Sequence, residues 1–377
     1  MSSSTLHDRE WAFIRSLTIT GMLPLAGERT VQALYYILRG RKANQTLQDV
    51  HLYSLYPYYR MFPRLLKEDW EKIVYKLQEE SLLIPMQRAE SGRKPSFVLT
   101  EKALQIASES EREYNFSYWF EPFTAADIAE QIDLFWLRLH LIVQTVSYLL
   151  EGDLSFQPIV QEKRTQRWVK ECLADKERRA RWTEGLAQEL FCSMSPLSES
   201  VQEMIFQRFS GVSQSGLTLS QLSLRKREAP AYIHMQIRCG LARMIRTIQD
   251  NRAEFPLLSA LLKNEGGKDP RLTESASLTY VLAKQGSSIE QIANRRGIKP
   301  STVEDHLVEI ALRCPEWDGS RYLSAELAEE IVKISERLGT SRLRLIKDQL
   351  GPGVSYLQIR LALARKKGGG EDAKRDA

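Results

Sequence analysis

"SSIEQIANRRGIKPSTVEDHL", residues 287–307, decides how this chain is read. Two short amphipathic segments flank Gly297. Ala293 is small where a second helix would cross the first, and Gly297 tolerates the positive φ that a tight turn needs. Ser288 is a cap for the first helix. Pro300 and Ser301 suit the start of the second, and Ser301 with Glu304 has the spacing of a capping box. Ile289, Ile292, Ile298, Val303, Leu307 and Ile310 would bury a shared core. This pattern predicts a helix-turn-helix, in which the second helix lies in the major groove of DNA. The exposed positions expected on that helix are Lys299, Ser301, Thr302, Glu304, Asp305 and His306. The two acids would repel phosphate, while Arg295, Arg296 and Lys299 at the turn would grip it. A protein-docking helical module is the other reading of the same pattern.

The segment repeats loosely. "SIEQIANRRGIKPSTVEDHLVEIALR" aligns with "SRLRLIKDQLGPGVSYLQIRLALARK" from Ser341, so that Ser288 meets Ser341, Ile292 meets Leu345 and Gly297 falls near Gly351. The second copy is more basic, with Arg342, Arg344, Lys347, Arg360, Arg365, Lys366 and Lys367. Residues 271–367 hold sixteen Lys and Arg against twelve Asp and Glu. Such cations would meet phosphate and carry no sequence preference.

Working outward, the fold class is mainly α, in three parts and a tail. Residues 1–110 form an expected winged-helix-like domain. Val31, Leu34, Tyr35 and Leu38 lie at helical spacing before a stop at Gly40, and Trp70, Ile73, Val74 and Leu77 mark another amphipathic helix. "LLIPMQRAESGRKPSFVLT" then reads as a small β-hairpin with a turn at Ser91-Gly92, followed by a helix capped by Thr100. Arg88, Arg93 and Lys94 at the hairpin tip are either a solvated loop or a wing that touches phosphate. Tyr53, Tyr56, Tyr58, Tyr59 and Phe62 are core residues or base-stacking ones.

Residues 111–268 are an expected helical middle region. It opens on the aromatic cluster "YNFSYWFEPF" and continues through "IDLFWLRLHLIVQTVSYLL", apolar nearly all round and so a buried helix. "EKRTQRWVKECLADKERRARW" is densely charged, and reads as a solvated helix face ahead of a nucleic-acid patch. "NEGGKDP" marks a boundary. Residues 271–368 are the helix-turn-helix domain, and 369–377 a disordered tail.

Composition narrows the function. The chain has 377 residues, a net charge of +5 and a pI near 8.9, which permits nucleic-acid binding without requiring it. No apolar run is long enough to span a bilayer, and the opening residues lack a secretory signal, so a cytoplasmic location is expected, with nucleoid association as an option within it. Cys172, Cys192, Cys239 and Cys314 form no CxxC pair, as suits a reducing compartment, and neither a zinc site nor another metal or cofactor is expected. There is no GxxxxGK[ST], HExxH or GxSxG motif, and the five histidines are scattered. No enzymatic activity is expected.

The stretch "LTYVLAKQGSSIEQIANRRGIKPSTVEDHL", with the later "SRLRLIKDQLGPGVSYLQIRLALAR", resembles the helicase-associated helix-turn-helix domain at the end of some RecQ-type helicases. Ile346, Lys347, Leu350, Ser355, Tyr356, Ile359, Arg360, Leu361 and Ala364 carry the second half of that signature. With "GERTVQALYYILRGRKANQTLQDVHLY" through "FVLTEKA", the whole chain is similar to the YpbB family of Firmicutes-type bacteria. The resemblance implies a non-enzymatic DNA-binding accessory protein that acts with a RecQ-type DNA helicase in DNA repair or recombination. The residues expected to meet DNA are Arg295, Arg296, Lys299, Ser301, Thr302, His306, Arg342, Arg344, Lys347, Arg360, Arg93 and Lys94. A transcription regulator, and a protein-binding scaffold without DNA affinity, are the alternatives.

Overall fold

A computed structural model describes residues 3–86, 96–123, 126–153, 155–263 and 272–366. The hairpin tip with Arg88, Ser91, Gly92, Arg93 and Lys94, the boundary stretch 264–271, and Lys367 with the tail 369–377 lie outside the described residues.

The protein is mainly α. Helices α1 (Ser3–Met22), α2 (Gln32–Arg39), α3 (Asn44–Leu52) and α4 (Lys67–Glu79) precede strands β1 (Leu83–Pro85) and β2 (Phe97–Leu99). Helices α5 (Glu101–Tyr114), α6 (Phe116–Phe120), α7 (Ala126–Leu150), α8 (Lys163–Cys172) and α9 (Lys176–Met194) follow. Next come α10 (Glu199–Arg208), α11 (Leu219–Lys226), α12 (Pro230–Asp250) and α13 (Pro256–Leu262). The chain ends with α14 (Glu274–Lys284), α15 (Ile289–Arg296), α16 (Pro300–Arg313), α17 (Ala325–Leu338), α18 (Leu343–Leu350) and α19 (Tyr356–Arg365).

The chain divides into two compact units. A middle unit holds residues 1–17, 110–124 and 128–263, and a terminal unit holds 18–109, 125–127 and 264–377. The winged-helix-like segment and the C-terminal helices, far apart in sequence, therefore fold into one body.

In the terminal unit, α2, α3 and α4 lead into the antiparallel pair β1–β2, in which Leu83, Ile84 and Pro85 face Leu99, Val98 and Phe97. Gly40 stops α2 in the left-handed region, φ 68° and ψ 42°, as its lack of a β-carbon allows. Thr100 caps α5, its hydroxyl accepting from the Ala103 amide at 3.3 Å. Trp70 on α4 is fully buried and stacks on Tyr35 of α2, centroids 6.0 Å apart. The tyrosine cluster is largely core. Tyr58 and Tyr59 are buried, Tyr58 donates to Thr20 at 2.8 Å, and Arg29 lies over the Tyr53 ring. Tyr56 meets the His51 Nδ1 at 2.5 Å. Base stacking by Tyr58 or Tyr59 is excluded by that burial.

In the middle unit, α12 is the axis. Its apolar residues are buried on more than one face, because α6, α9, α10, α11 and α13 all pack against it. The aromatic cluster closes one end: Phe13, Tyr114 and Tyr232 sit with ring centroids 5.1–5.3 Å apart. Two buried charges hold α13 at both ends. The Glu189 carboxylate accepts from the amides of Leu257 and Leu258 at 2.9–3.0 Å. Arg138, 1% exposed, donates to the carbonyls of Leu261 and Lys263 at 2.9 and 2.6 Å and lies against the Trp168 ring. Each charge meets the helix end of opposite partial charge, and the hydrogen bonds make its burial tolerable.

Among the described residues, no helix is long and apolar enough to cross a membrane, and no group of three His, Cys, Asp or Glu could hold a metal ion.

Candidate nucleic-acid interface

The stretch quoted first folds as expected at its turn. Ser288 and Gln291 form a reciprocal capping box on α15, with Gln291 N–H to Ser288 Oγ at 3.3 Å and Ser288 N–H to Gln291 Oε1 at 2.8 Å. Gly297 ends α15 at φ 63° and ψ 36°. Its amide reaches the Asn294 carbonyl at 3.4 Å and the Ile298 amide reaches the Ala293 carbonyl at 3.1 Å, which completes a Schellman closure. No atom would lie within 4 Å of a β-carbon at Gly297, so the requirement for glycine is one of backbone conformation alone. Gly297→Val is expected to destabilise the terminal unit by about 1–3 kcal/mol. A thermal melt that does not move would show that this residue is not held left-handed.

The start of α16 departs from the expected capping box. Pro300 takes the first helical position, where its fixed φ is an advantage and its missing N–H costs nothing. That puts Lys299 at the cap, with no side-chain cap bond, and leaves Ser301 inside the helix, two positions past the cap, where it cannot form the capping box with Glu304.

The sequence repeat is a structural repeat. Helices α14, α15 and α16 pack as one trihelical set, and α17, α18 and α19 as another. Both α15 and α18 are eight residues long and end on a glycine. Gly351 adopts φ 80° and ψ −176°, a conformation open essentially to glycine only. The last helices of the two sets, α16 and α19, pack on each other, and α3 packs on both. Leu52 of α3 joins the shared core. This arrangement buries Val303, His306, Leu307, Val308, Ile310, Leu357, Ile359, Leu361 and Leu363.

A set of three helices closed by a left-handed glycine, with the last helix crossing the second, is what a DNA-reading module requires. Residues 275–363 match the family described as a helix-turn-helix domain. The C-terminal segment is a helix-turn-helix domain. Across its length the chain is also similar to Protein YpbB of Bacillus subtilis, with 28% identity over 340 residues, 90% of this chain and 94% of the relative. No solved structure matches.

The structure sorts the expected contact residues of the helix-turn-helix domain into open and engaged. Arg295, Lys299 and Ser301 are exposed at the turn and at the first turn of α16, and Arg344 is exposed on α18. Thr302 is half-buried beside them.

His306 is a correction. It is 8% exposed, not on the open face, because α16 turns it towards α14. Its Nδ1 lies 2.9 Å from Thr279 Oγ1 and 3.1 Å from Arg296 Nη1. Arg296 also donates to Thr279 Oγ1, and to Ser275 Oγ at 3.0 Å. Nδ1 therefore serves as an acceptor on a neutral ring. Burial, then the Arg296 charge, holds the imidazole below its ordinary pKa. Arg296 is accordingly a tie between α14, α15 and α16.

Three more cations are tied inside the unit. Arg360 pairs with Asp305 at 2.9 Å and so joins α19 to α16, which also neutralises one of the two acids expected to repel phosphate. Arg342 donates to the Gly27 carbonyl and lies 3.9 Å from the Glu28 carboxylate, while Thr340 donates to Glu28 at 2.9 Å. Lys347 is half-buried over the Tyr356 ring, 4.6 Å from its centroid. Sequence reasoning missed residues 27–29 and α3 as partners of this domain. The burial of the polar residues Thr46, Gln48 and Asp49 on α3 shows this packing, but it is visible only in the fold.

Proposed function

We propose that the chain is a non-enzymatic DNA-binding protein whose helix-turn-helix domain holds the phosphate backbone. The observation that carries this reading is the placement of Arg295, Lys299 and Ser301 in the open at the entry to α16, while the body of that helix is covered by α3 and α19. A helix with only its first turn free can meet phosphate with its amide end and flanking cations. It cannot lay a row of side chains along base edges, which favours structure-directed binding over recognition of a defined operator. The similarity of the C-terminal motifs to the helicase-associated domain supports the finer reading: an accessory protein that acts with a RecQ-type helicase in DNA repair or recombination.

The test is fluorescence anisotropy of the full chain with labelled forked DNA across a salt series. In Arg295→Ala/Lys299→Ala the dissociation constant should rise on the order of tenfold, and the salt slope should flatten by about two, one for each phosphate that is no longer neutralised. The weakening should be the same for unrelated sequences. An unchanged slope would make the domain a protein-docking fold. Separately, a RecQ-type helicase lacking its own helix-turn-helix domain should co-elute with the full chain and unwind forked DNA at lower concentration in its presence. Independent elution with unaltered unwinding would remove the helicase from the proposal and leave DNA binding standing.

A further inference from the structure

Helix α8 in the middle unit carries a row of cations that the fold does not use. Lys163, Arg167 and Lys170 follow each other at intervals of four and three residues, so they share one face of the helix, and all three are exposed. The opposite face, Thr165, Trp168 and Val169, is buried. No ion pair or hydrogen bond engages these three side chains among the described residues, and Lys176 at the start of α9 is equally open. Of the three acids nearby, Asp175 pairs with Arg178 at 3.1 Å and Glu177 with Arg181 at 3.5 Å, while Glu171 is exposed four residues after Arg167. Residues 163–181 hold eight Lys and Arg against three Asp and Glu, an excess of five. That equals the net charge of the whole chain, +5; the other cationic stretch, residues 271–367, has an excess of four over a longer span.

A solvated helix in a protein that only needs solubility interleaves its signs. This face does not. From Lys163 to Lys170 the helix rises about 10 Å, close to the axial rise of three phosphates along one strand of a duplex at about 3.4 Å each. The aromatic residue of the helix, Trp168, is buried under Arg138, so the face offers charge without a platform for stacking bases. We propose that the Lys163, Arg167 and Lys170 face of α8 is a second DNA contact, made to the backbone of a duplex and without sequence preference. It is independent of the contact assigned to the helix-turn-helix domain.

The experiment uses the full chain and a labelled duplex, with anisotropy read across a salt series. Lys163→Gln/Arg167→Gln/Lys170→Gln is compared with the parent and, separately, in the Arg295→Ala/Lys299→Ala background. The triple variant should weaken binding by at least about tenfold at low salt and flatten the salt slope by about two to three in either background. The variant Lys163→Arg/Arg167→Lys/Lys170→Arg keeps the charge and should bind as the parent does, which separates loss of charge from loss of fold. A triple variant that melts like the parent and keeps the parent's slope overturns the proposal, whatever the helix-turn-helix variants do. A loss of binding that the charge-preserving variant shares also overturns it, because packing and not charge would then be responsible.

Discussion

Arg29→Met is expected to destabilise the terminal unit by about 3–5 kcal/mol, the largest effect of any single surface-distant charge in that unit. Arg29 Nε lies 2.8 Å from Asp49 Oδ1, and the two side chains are 15% and 4% exposed. Asp49 sits on α3, the helix that packs against α16 and α19. Without the guanidinium, Gln45, which donates to the same oxygen at 2.9 Å, would be left to solvate a buried carboxylate. The double variant Arg29→Met/Asp49→Leu removes both charges and should recover most of the stability, since apolar replacement of a buried pair is often neutral. Urea unfolding of the parent, both single variants and the double variant closes the cycle. If Arg29→Met costs less than about 1 kcal/mol, the carboxylate is reached by water and α3 does not seal against the last helices.

Acidification should weaken the middle unit through His140. The ring packs against Trp136 and Phe209, with centroids 5.0 and 6.0 Å away. Burial, and next the charge of Arg208, lower its pKa to about 4 from an ordinary 6.5. A depressed folded-state value means that the unfolded chain takes up the proton first. The stability His140 contributes is therefore complete above about pH 6.5 and is lost as the pH falls towards 4. The full loss is about 3 kcal/mol at about 1.36 kcal/mol for each pH unit. His51 and His306 in the terminal unit are lowered in the same direction by burial, and add to the acid sensitivity. Melting temperatures of the parent and His140→Phe between about pH 7 and 4.5 isolate the effect: the parent should fall more steeply than the variant as the pH drops. An NMR titration placing the His140 ring near its ordinary 6.5 would refute the assignment.

What could be read from the chain alone was local. The Schellman turn at Gly297, the Ser288 cap, the stop at Gly40 and the Thr100 cap rest on contacts within a few residues, and the β1–β2 pair on contacts twelve to sixteen residues apart, and their signals are written at those spacings. The internal repeat was legible for the same reason, because each copy of the motif must solve the same turn. The cap of α16 was misplaced by two residues: Ser301 and Glu304 have the right spacing, but Pro300 competes for the helix start and wins.

The availability of the candidate DNA contacts was not local. Arg295 and Arg296 are neighbours in sequence with the same chemistry, yet one is exposed and the other is bound to Thr279 and Ser275. Arg342 meets Gly27 and Glu28, more than three hundred residues away, and periodicity carries no information at that range. The sequence by itself determined the helices, most of their caps and the helix-turn-helix fold, since these depend on backbone conformation and short-range hydrogen bonds; the cap of α16 is the exception. Only the tertiary structure decided which faces stay open, because the burial of α16 depends on α3 and α19 arriving from distant parts of the chain to exclude water from it.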